Sequence, residues 1–350
     1  MAMHSFVFPG DIDPEIARIG SLPFMYMRTD EFSQINKESI DILLSLIHCK
    51  DGRAIIYTGS GTGAMSAVVE NYVSTRSKAL VIDGGSFGHR WWELCLYYGA
   101  QAVHFEVPFA RDIDYGRLEK TIASERPEVL LCQQHETSSG QLFDLGRICE
   151  ICRRYGVSPV VDVVSSFLAE DLDMDALGID VCVTSTQKGL NVPPGLSIIF
   201  LSSSLEGYPF AHRGYYWDFE SNLSNLRRGQ TPFSPATILY LQLNARLRQL
   251  RSEGGEKANI EAVRHRAEVF RRECARYGWG GAPEVPSSAI TAIRTSDTSE
   301  RHIFKGLIKK YETFIMPGNV PGHYRISHMG LQTDEDLVLL AERIRECEPR

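Results

Sequence analysis

Short apolar runs alternate with amphipathic segments through the first two thirds of the chain. Apolar residues spaced three or four positions apart predict a first helix over 33–49. Runs of β-branched and other apolar residues then predict strands at 54–57, 79–82, 102–107, 129–133, 159–163, 181–184 and 197–201. Helical patterns such as 145–155 separate most of these runs. Strands that alternate with helices favour an α/β fold, with a mostly parallel sheet covered by helices on both faces.

The two ends of the chain have different patterns. Breakers such as Pro9, Gly10 and Pro14 predict an extended arm over residues 1–25. Beyond Ser234 come two long helical stretches, 235–252 and 259–277, and then the alternation strand 289–294, helix 299–311, strand 324–327 and helix 333–347. We therefore predict an N-terminal arm (1–25), a large domain (26–253) and a smaller α+β C-terminal domain (254–350).

Composition and charge limit the classes of molecule that we expect the chain to bind. The 350 residues carry 37 Lys and Arg against 44 Asp and Glu, a formal net charge of −7. That balance offers no basic footprint for nucleic acid or for an anionic membrane. The longest apolar stretches are far shorter than the roughly 18 residues that a membrane helix needs. We expect neither nucleic acid nor membrane as a partner, and a small molecule instead.

The positions of the cysteines bear on the cellular compartment and on metal binding. The 8 cysteines lie mostly in apolar periodic segments, and the N-terminus lacks the pattern of a signal peptide. Both features predict a cytoplasmic protein. Cys149 and Cys152 form a C-x-x-C, but they lie on one helical stripe and no second pair follows at zinc spacing. We therefore predict core packing for them and no metal.

Candidate chemistry begins at a glycine-bearing turn after the strand 54–57. Ser60, Gly61 and Thr62 precede a helical pattern, so backbone N–H groups and two hydroxyls could hold a phosphate at the start of that helix. The spacing matches neither a P-loop nor a dinucleotide fingerprint. A plain strand-to-helix turn is the alternative interpretation.

A lysine and an aspartate follow neighbouring strands. Lys188 comes after the strand 181–184, and Asp162 lies at the end of the apolar run 157–161, which places both at the carboxyl edge of the sheet. A lysine partly removed from water has a lowered pKa and can attack a carbonyl. The carboxylate suits a protonated pyridine nitrogen. Taken singly, an exposed loop lysine and a helix-capping aspartate remain open alternatives.

Several motifs together resemble those of the class V aminotransferases of fold type I, in the branch of alanine–glyoxylate, serine–pyruvate and 2-aminoethylphosphonate aminotransferases. The resemblance covers nearly the whole chain. It rests on Ser60-Gly61-Thr62, Gly85-Ser86-Phe87-Gly88, the segment 135–140, the segment 161–166, Ser185-Thr186-Gln187-Lys188 and the segment 324–330.

The resemblance implies a seven-stranded-type sheet, pyridoxal 5'-phosphate as cofactor, and a homodimer with shared active sites. It assigns Lys188 to the Schiff base with the cofactor and Asp162 to the pyridinium nitrogen. Phe87 would stack on the ring, Thr137 would bond on the side of the ring hydroxyl, and Arg325 would bind the substrate carboxylate. The phosphate would be held by Ser60, Gly61, Thr62 and Gln187, with Thr231 reaching it from the neighbouring subunit.

These assignments predict a transaminase that moves an amino group between a small amino acid, or an aminophosphonate-like donor, and a 2-oxo acid such as pyruvate or glyoxylate. A lyase or desulfurase of the same fold is the alternative, although the late cysteines Cys274 and Cys347 lie in helical patterns. A non-catalytic protein that keeps the fold would be expected to lose Lys188 or Asp162. Donor, acceptor and the roles of four further candidates stay open: Arg28, Arg228, His323 and His328.

Overall fold

A seven-stranded sheet forms the centre of the computed structural model, which describes residues 4–76, 78–211, 214–281, 283–297, 301–318 and 320–349. Its strands are β1 (Arg53–Thr58), β2 (Ala79–Asp83), β3 (Ala102–Glu106), β4 (Val129–Gln133), β5 (Ser158–Asp162), β6 (Val181–Ser185) and β7 (Leu196–Leu201). The order across the sheet is β1-β7-β6-β5-β4-β2-β3. Strand β7 is antiparallel to both of its neighbours, and the other pairings are parallel. The predicted mostly parallel sheet is confirmed.

The described residues contain twelve α-helices. They are α1 (Pro14–Ile19), α2 (Asp30–Leu46), α3 (Gly61–Asn71), α4 (Ser86–Tyr97), α5 (Tyr115–Glu125), α6 (Leu145–Tyr155), α7 (Met174–Leu177), α8 (Phe219–Leu226), α9 (Thr237–Ser252), α10 (Gly255–Tyr277), α11 (His302–Tyr311) and α12 (Asp334–Glu346). In the described residues, no helix is both long and apolar enough to cross a membrane.

Two apolar cores lie on opposite faces of the large sheet. Successive residues of a strand point to opposite faces, so Ile55 belongs to one core and Ile56 to the other. The same division separates Val129 from Leu130 in β4. Strands buried on both faces are the reason these runs are apolar throughout rather than alternating. Cys149 and Cys152 are buried and unbridged on α6, as predicted.

A second, antiparallel sheet lies in the C-terminal part. Its strands β8 (Gly280–Gly281), β9 (Ile290–Arg294), β10 (Met316–Pro317) and β11 (His323–Ser327) have the order β8-β9-β11-β10. Residues of α10, α11 and α12 form a separate apolar core beside it. The first residues of the helix predicted over 299–311 lie outside the described residues, and the helix is described from His302. The domain division at 253–254 stays a proposal, and it falls between α9 and α10.

The prediction of an extended arm over residues 1–25 is wrong for residues 14–19, which form α1. Pro14 stands at the first helical position, where its fixed φ suits a helix, and the Asp13 carboxylate accepts the Glu15 N–H at 2.8 Å. The arm before α1 is fixed by backbone bonds. Phe6 donates to the Phe314 carbonyl at 2.9 Å, and Ser327 donates to the Phe6 carbonyl at 2.9 Å.

Candidate active site

Lys188 lies in a tight turn three residues beyond the end of β6. The Asn191 N–H closes the turn onto the Lys188 carbonyl at 2.9 Å, and the Val192 N–H bonds to the Thr186 carbonyl at 3.1 Å. The next residue must be a glycine, because the Cα of Gly189 lies against the Phe167 carbonyl and a Cβ there has no room. The turn therefore holds the Lys188 backbone rigidly at the carboxyl edge of the sheet.

The Lys188 side chain is buried. Burial lowers the pKa of its ammonium to about 7; the charge of Arg325 acts in the same direction, while Asp162 and Glu136 oppose it. The Nζ atom lies 3.5 Å from the centroid of the Phe8 ring and 5.9 Å from that of the Phe87 ring. This lysine is not an exposed loop residue, so that alternative is excluded.

Asp162 ends β5 and is also buried. Burial raises the pKa of its carboxyl to about 7, partly offset by the Val164 N–H, which donates to Oδ1 at 2.7 Å. Lys188 is among the charges that lower this pKa, and Glu136 raises it. The bond to the residue two positions on is an Asx turn rather than a helix cap. A carboxylate held in this way suits a cationic partner.

Helix α3 begins at Gly61, with its N-terminus toward β6. Ser60 is its N-cap, and the Ser60 hydroxyl accepts the Gly63 N–H at 3.3 Å. The first N–H groups of a helix lack an intrahelical acceptor and favour anions. A Cβ at Gly61 would lie 3.4 Å from Ser185 Oγ and 3.1 Å from Val164 Cγ2. The helix start is therefore brought against the segments that carry Asp162 and Lys188.

Two side chains between the end of β6 and Lys188 have polar atoms without a partner. Gln187 Oε1 and Ser185 Oγ are buried and have no hydrogen-bond partner in the described structure. An unsatisfied buried polar atom costs about 1–3 kcal/mol, so such atoms mark a place where a polar ligand fits.

Arg325, on β11, joins the C-terminal part to the site. Its Nη1 donates to the Thr137 carbonyl at 2.8 Å and its Nη2 to the Pro317 carbonyl at 3.2 Å, while the buried Nε has no partner. Burial lowers the pKa of this guanidinium, and Glu136 opposes the shift. The Thr137 hydroxyl donates to Ser165 Oγ at 2.7 Å. Arg325 thus keeps N–H donors for a carboxylate in a fixed orientation.

Sequence reasoning missed Glu136, which anchors the start of α4. Its carboxylate accepts the N–H groups of Phe87 (3.2 and 3.4 Å) and Gly88 (3.1 Å), together with the Ser138 N–H at 3.0 Å. Burial raises the pKa of Glu136 in spite of these bonds. The sequence does contain a signal for this role: the motif 135–140 has one glutamate among small polar residues, and a carboxylate is favourable at a helix N-terminus.

Phe8 and Arg90 were also missed. Phe8 reaches Lys188 through backbone pairing of the N-terminal arm, which no local pattern reveals. Arg90 follows Phe87 on α4: its Nη1 donates to Thr62 Oγ1 at 3.0 Å and its Cζ lies 4.9 Å from the Phe87 ring centroid. It links the aromatic ring to the start of α3.

The hydrogen bonds of Thr231 are made to residues outside the group around Lys188. Its hydroxyl donates to the Phe233 carbonyl at 2.7 Å, and its own carbonyl accepts Arg28 Nη1 at 2.8 Å. Arg28 also donates to Gln230 Oε1 at 2.9 Å, whereas Arg228 bonds to Asn225 Oδ1 at 2.6 Å. Arg28 is therefore one of the side chains that hold the Thr231 segment in place.

The two histidines beside Arg325 differ in surroundings. His328 is buried in the C-terminal part, with Nε2 2.7 Å from Thr291 Oγ1 and its ring tilted against Phe270. His323 has a buried Nε2 without a partner, and its ring centroid lies 6.0 Å from that of Phe109. Burial lowers the pKa of His323 to about 4, so it is neutral near pH 7.

Comparison with known proteins shows the family of the chain. The family model "Aminotransferase class-V" matches residues 24–223. The chain is 26% identical over 344 residues to the L-aspartate–glyoxylate aminotransferase of Paracoccus denitrificans (93% of this chain, 86% of the relative) and 27% identical over 348 residues to the serine–glyoxylate aminotransferase of Hyphomicrobium methylovorum (94% and 85%). The solved alanine–glyoxylate aminotransferase of Nostoc sp. superposes with a TM-score of 0.91 at 21% identity, covering 99% of this chain and 96% of the other.

The structural match shows the fold, and the family model covers more than half of the chain. The architecture is that of the fold type I aminotransferases, and the chain belongs to the class V aminotransferase family.

Proposed function

We propose that the chain is a pyridoxal-phosphate-dependent transaminase that moves an amino group between a small amino acid and a 2-oxo acid. The observation that carries the proposal is the buried Lys188 amine, whose pKa of about 7 is influenced by the charges of buried Asp162 and half-buried Arg325. Family membership gives the reaction type, and these three groups match its chemical requirements.

The donor set fits the cofactor. Lys188 would hold it covalently, Asp162 would face the ring nitrogen and Phe87 would cover one ring face. The start of α3 with Ser60, Gly61 and Thr62 offers N–H and hydroxyl donors for a phosphate, beside the unpartnered Gln187 side chain. Thr137 would bond on the side of the ring hydroxyl. When bound, the cofactor supplies an electron sink that acidifies the substrate α-carbon.

Lys188 is suited to move a proton near neutral pH. A general acid–base group works best when its pKa is close to the operating pH, and that of Lys188 is about 7. Once released from the cofactor, the neutral Lys188 amine would take the proton from the α-carbon of the donor, and the resulting ammonium would deliver it to the cofactor carbon that bears the amino nitrogen. Asp162 and Glu136 favour the ammonium, while burial and Arg325 favour the amine.

Arg325 explains how one site accepts two kinds of substrate. Amino acids and 2-oxo acids share a carboxylate, and a guanidinium binds it through two parallel N–H donors. The Phe8 ring occupies the space next to Lys188 Nζ, which favours donors with small side chains. The relatives are named for glyoxylate as substrate, and we propose glyoxylate or pyruvate as the acceptor here.

A desulfurase is disfavoured by the thiols. The 8 cysteines are free and buried, and burial raises the pKa of Cys274 to about 12. Cys347 packs in the same apolar core as Cys274, and burial raises its pKa too. A desulfurase needs an accessible thiolate near the carboxylate-binding arginine.

The free cysteines also suit a reducing compartment, and we propose that the protein is located in the cytoplasm.

We further propose a homodimer in which Thr231 completes the phosphate site of the partner subunit. Arg28 holds the Thr231 backbone, and the Tyr215 and Tyr216 rings nearby pack on Phe233 while remaining exposed. Exposed aromatic rings are enriched at protein interfaces. Mixing Lys188→Ala and Thr231→Ala subunits tests this proposal, because a mixed dimer would hold one site with both residues intact.

The test of the function is a turnover assay with a panel of amino donors against pyruvate and glyoxylate. We expect keto acid and new amino acid to form in equal amounts, with alanine, serine and aspartate as better donors than leucine or phenylalanine. Release of sulfide or ammonia from cysteine or serine, with no requirement for an acceptor, would favour the lyase instead.

A further inference from the structure

Two histidines and an aspartate converge at the carboxyl end of β2, outside the residues assigned to the aminotransferase site. Asp83 Oδ2 lies 2.8 Å from His89 Nδ1 and 2.7 Å from His104 Nε2. The three ligand atoms lie within 4.8 Å of one another, and among the described residues this is the one group of three or more with that property.

The fold explains why these three side chains meet. In the pairing of β2 with β3, Val81 is opposite His104 and Asp83 is opposite Glu106, so Asp83 and His104 occupy one face of the sheet on adjacent strands. Helix α4 covers that face and brings His89 from its first turn. Trp92, also on α4, stacks on the His104 ring with 4.5 Å between centroids and 17° between planes. The His104 ring is therefore fixed.

The outer nitrogens of both rings face carboxylates. His104 Nδ1 lies 3.4 Å from Glu106 Oε1, and His89 Nε2 lies 4.0 Å from Glu93 Oε1. When a metal ion is bound, such carboxylates would hold the proton of each ring on its outer nitrogen, which is the usual outer shell of a metal-bound histidine. Without a metal ion, both inner nitrogens lie within hydrogen-bond distance of Asp83 Oδ2, where a ring N–H can donate. A metal ion would replace those protons and be held by the same three atoms.

We propose that Asp83, His89 and His104 bind a divalent transition-metal ion of the zinc class, with water completing the coordination. Two imidazoles and a carboxylate suit Zn²⁺, Co²⁺ or Ni²⁺ and not Mg²⁺ or Ca²⁺, which prefer oxygen ligands. Ligands around tetrahedral Zn²⁺ are roughly 3.3 Å apart, given bonds of about 2.0–2.2 Å. The two contacts to Asp83 must therefore open by about 0.5–0.6 Å, through movement of the half-exposed His89 side chain and of the Asp83 carboxylate, while the His104 ring stays against Trp92.

Local charge also favours a cation. Asp83, Glu93 and Glu106 contribute three carboxylates around two histidines, and the nearby Arg117 is directed instead at the Glu106 carbonyl. The ion would join β2, β3 and α4, and two of its ligands, Asp83 and His89, flank Phe87 in the sequence. The sequence analysis predicted no metal because it considered the spacing of cysteines. His89 and His104 are 15 residues apart, and Asp83 lies at the end of a strand whereas His89 lies on a helix.

The test is a Zn²⁺ titration of the untagged full-length chain, stripped with a chelator and followed by calorimetry, with Co²⁺ absorption as a second probe. We expect one ion per chain and a higher Tm with Zn²⁺. His104→Gln and His89→Gln should each weaken Zn²⁺ binding at least ~100-fold, and Glu106→Gln about tenfold. His89 is half exposed, so His89→Gln carries the test if His104→Gln folds poorly.

The matched control is His265→Gln. His265 also pairs with a carboxylate, Asp334, at 2.9 Å on the surface, but without a second histidine. It should bind Zn²⁺ like the unchanged chain. The proposal is overturned if no stoichiometric Zn²⁺ binding occurs, or if the His89→Gln and His265→Gln chains bind Zn²⁺ equally well.

Discussion

Glu136 holds Phe87 in position through the backbone: its carboxylate accepts the Phe87 N–H at 3.2 Å from one oxygen and 3.4 Å from the other. Phe87 is the residue expected to cover the cofactor ring, and Glu136 also contributes to the charge around Lys188. One buried carboxylate therefore sets both the position of the aromatic ring and the local electrostatics.

Glu136→Gln tests this relationship. The amide presents an NH₂ group to N–H donors, which leaves at least one of them unsatisfied at a cost of about 1–3 kcal/mol. We expect a lower free energy of unfolding in urea and weaker binding of pyridoxal phosphate. Glu261→Gln, on the exposed face of α10, is the matched control and should change neither quantity. Equal behaviour of the two variants would contradict the positioning role.

Asp162→Asn removes the buried negative charge while keeping the size of the side chain. Breaking a buried charge pair costs about 3–5 kcal/mol, which corresponds to roughly 10²–10⁴-fold in a rate. We expect kcat to fall by that factor with bound cofactor still present, measured in the alanine–glyoxylate assay. The exposed Asp171→Asn should retain full activity. A loss below threefold for Asp162→Asn would remove it from the proposed site.

Arg325→Gln should act mainly on substrate binding. Losing a charged pair of N–H donors costs about 1.5–3 kcal/mol, so kcat/KM for both amino and oxo acids should fall roughly 10- to 10²-fold. Arg294, exposed on the adjacent strand β9, provides the control as Arg294→Gln. An unchanged KM for the 2-oxo acid in Arg325→Gln would show that the carboxylate binds elsewhere.

The pH dependence of cofactor coupling tests the lowered pKa of Lys188. The neutral amine is the nucleophile and is populated above the pKa, so lowering the pKa to about 7 extends the reactive range down toward neutral pH. In the cofactor-free chain, the rate of coupling to pyridoxal phosphate should rise through pH 7 and level off by about pH 8. Lys188→Ala gives the background. A rate that still increases between pH 9 and pH 10.5 would indicate an ordinary, solvated lysine.

The sequence alone predicts the sheet because its strands are apolar runs buried on both faces, and β4 and α6 have the predicted bounds. It does not predict α1, since Pro14 resembles a breaker until Asp13 is recognised as the cap. The motifs mark Lys188, Asp162 and Arg325 from local patterns. Phe8 and the cluster of Asp83, His89 and His104 depend on strand pairing and helix packing, which local patterns do not contain.

Trapping the lysine is the most direct test of the account. The chain is incubated with pyridoxal phosphate, reduced with borohydride, digested and mapped by mass spectrometry. We expect one stable pyridoxyl group per chain, on the peptide that contains Lys188, and none there in Lys188→Ala. A label on another lysine, or no stoichiometric label at all, would contradict the proposed function.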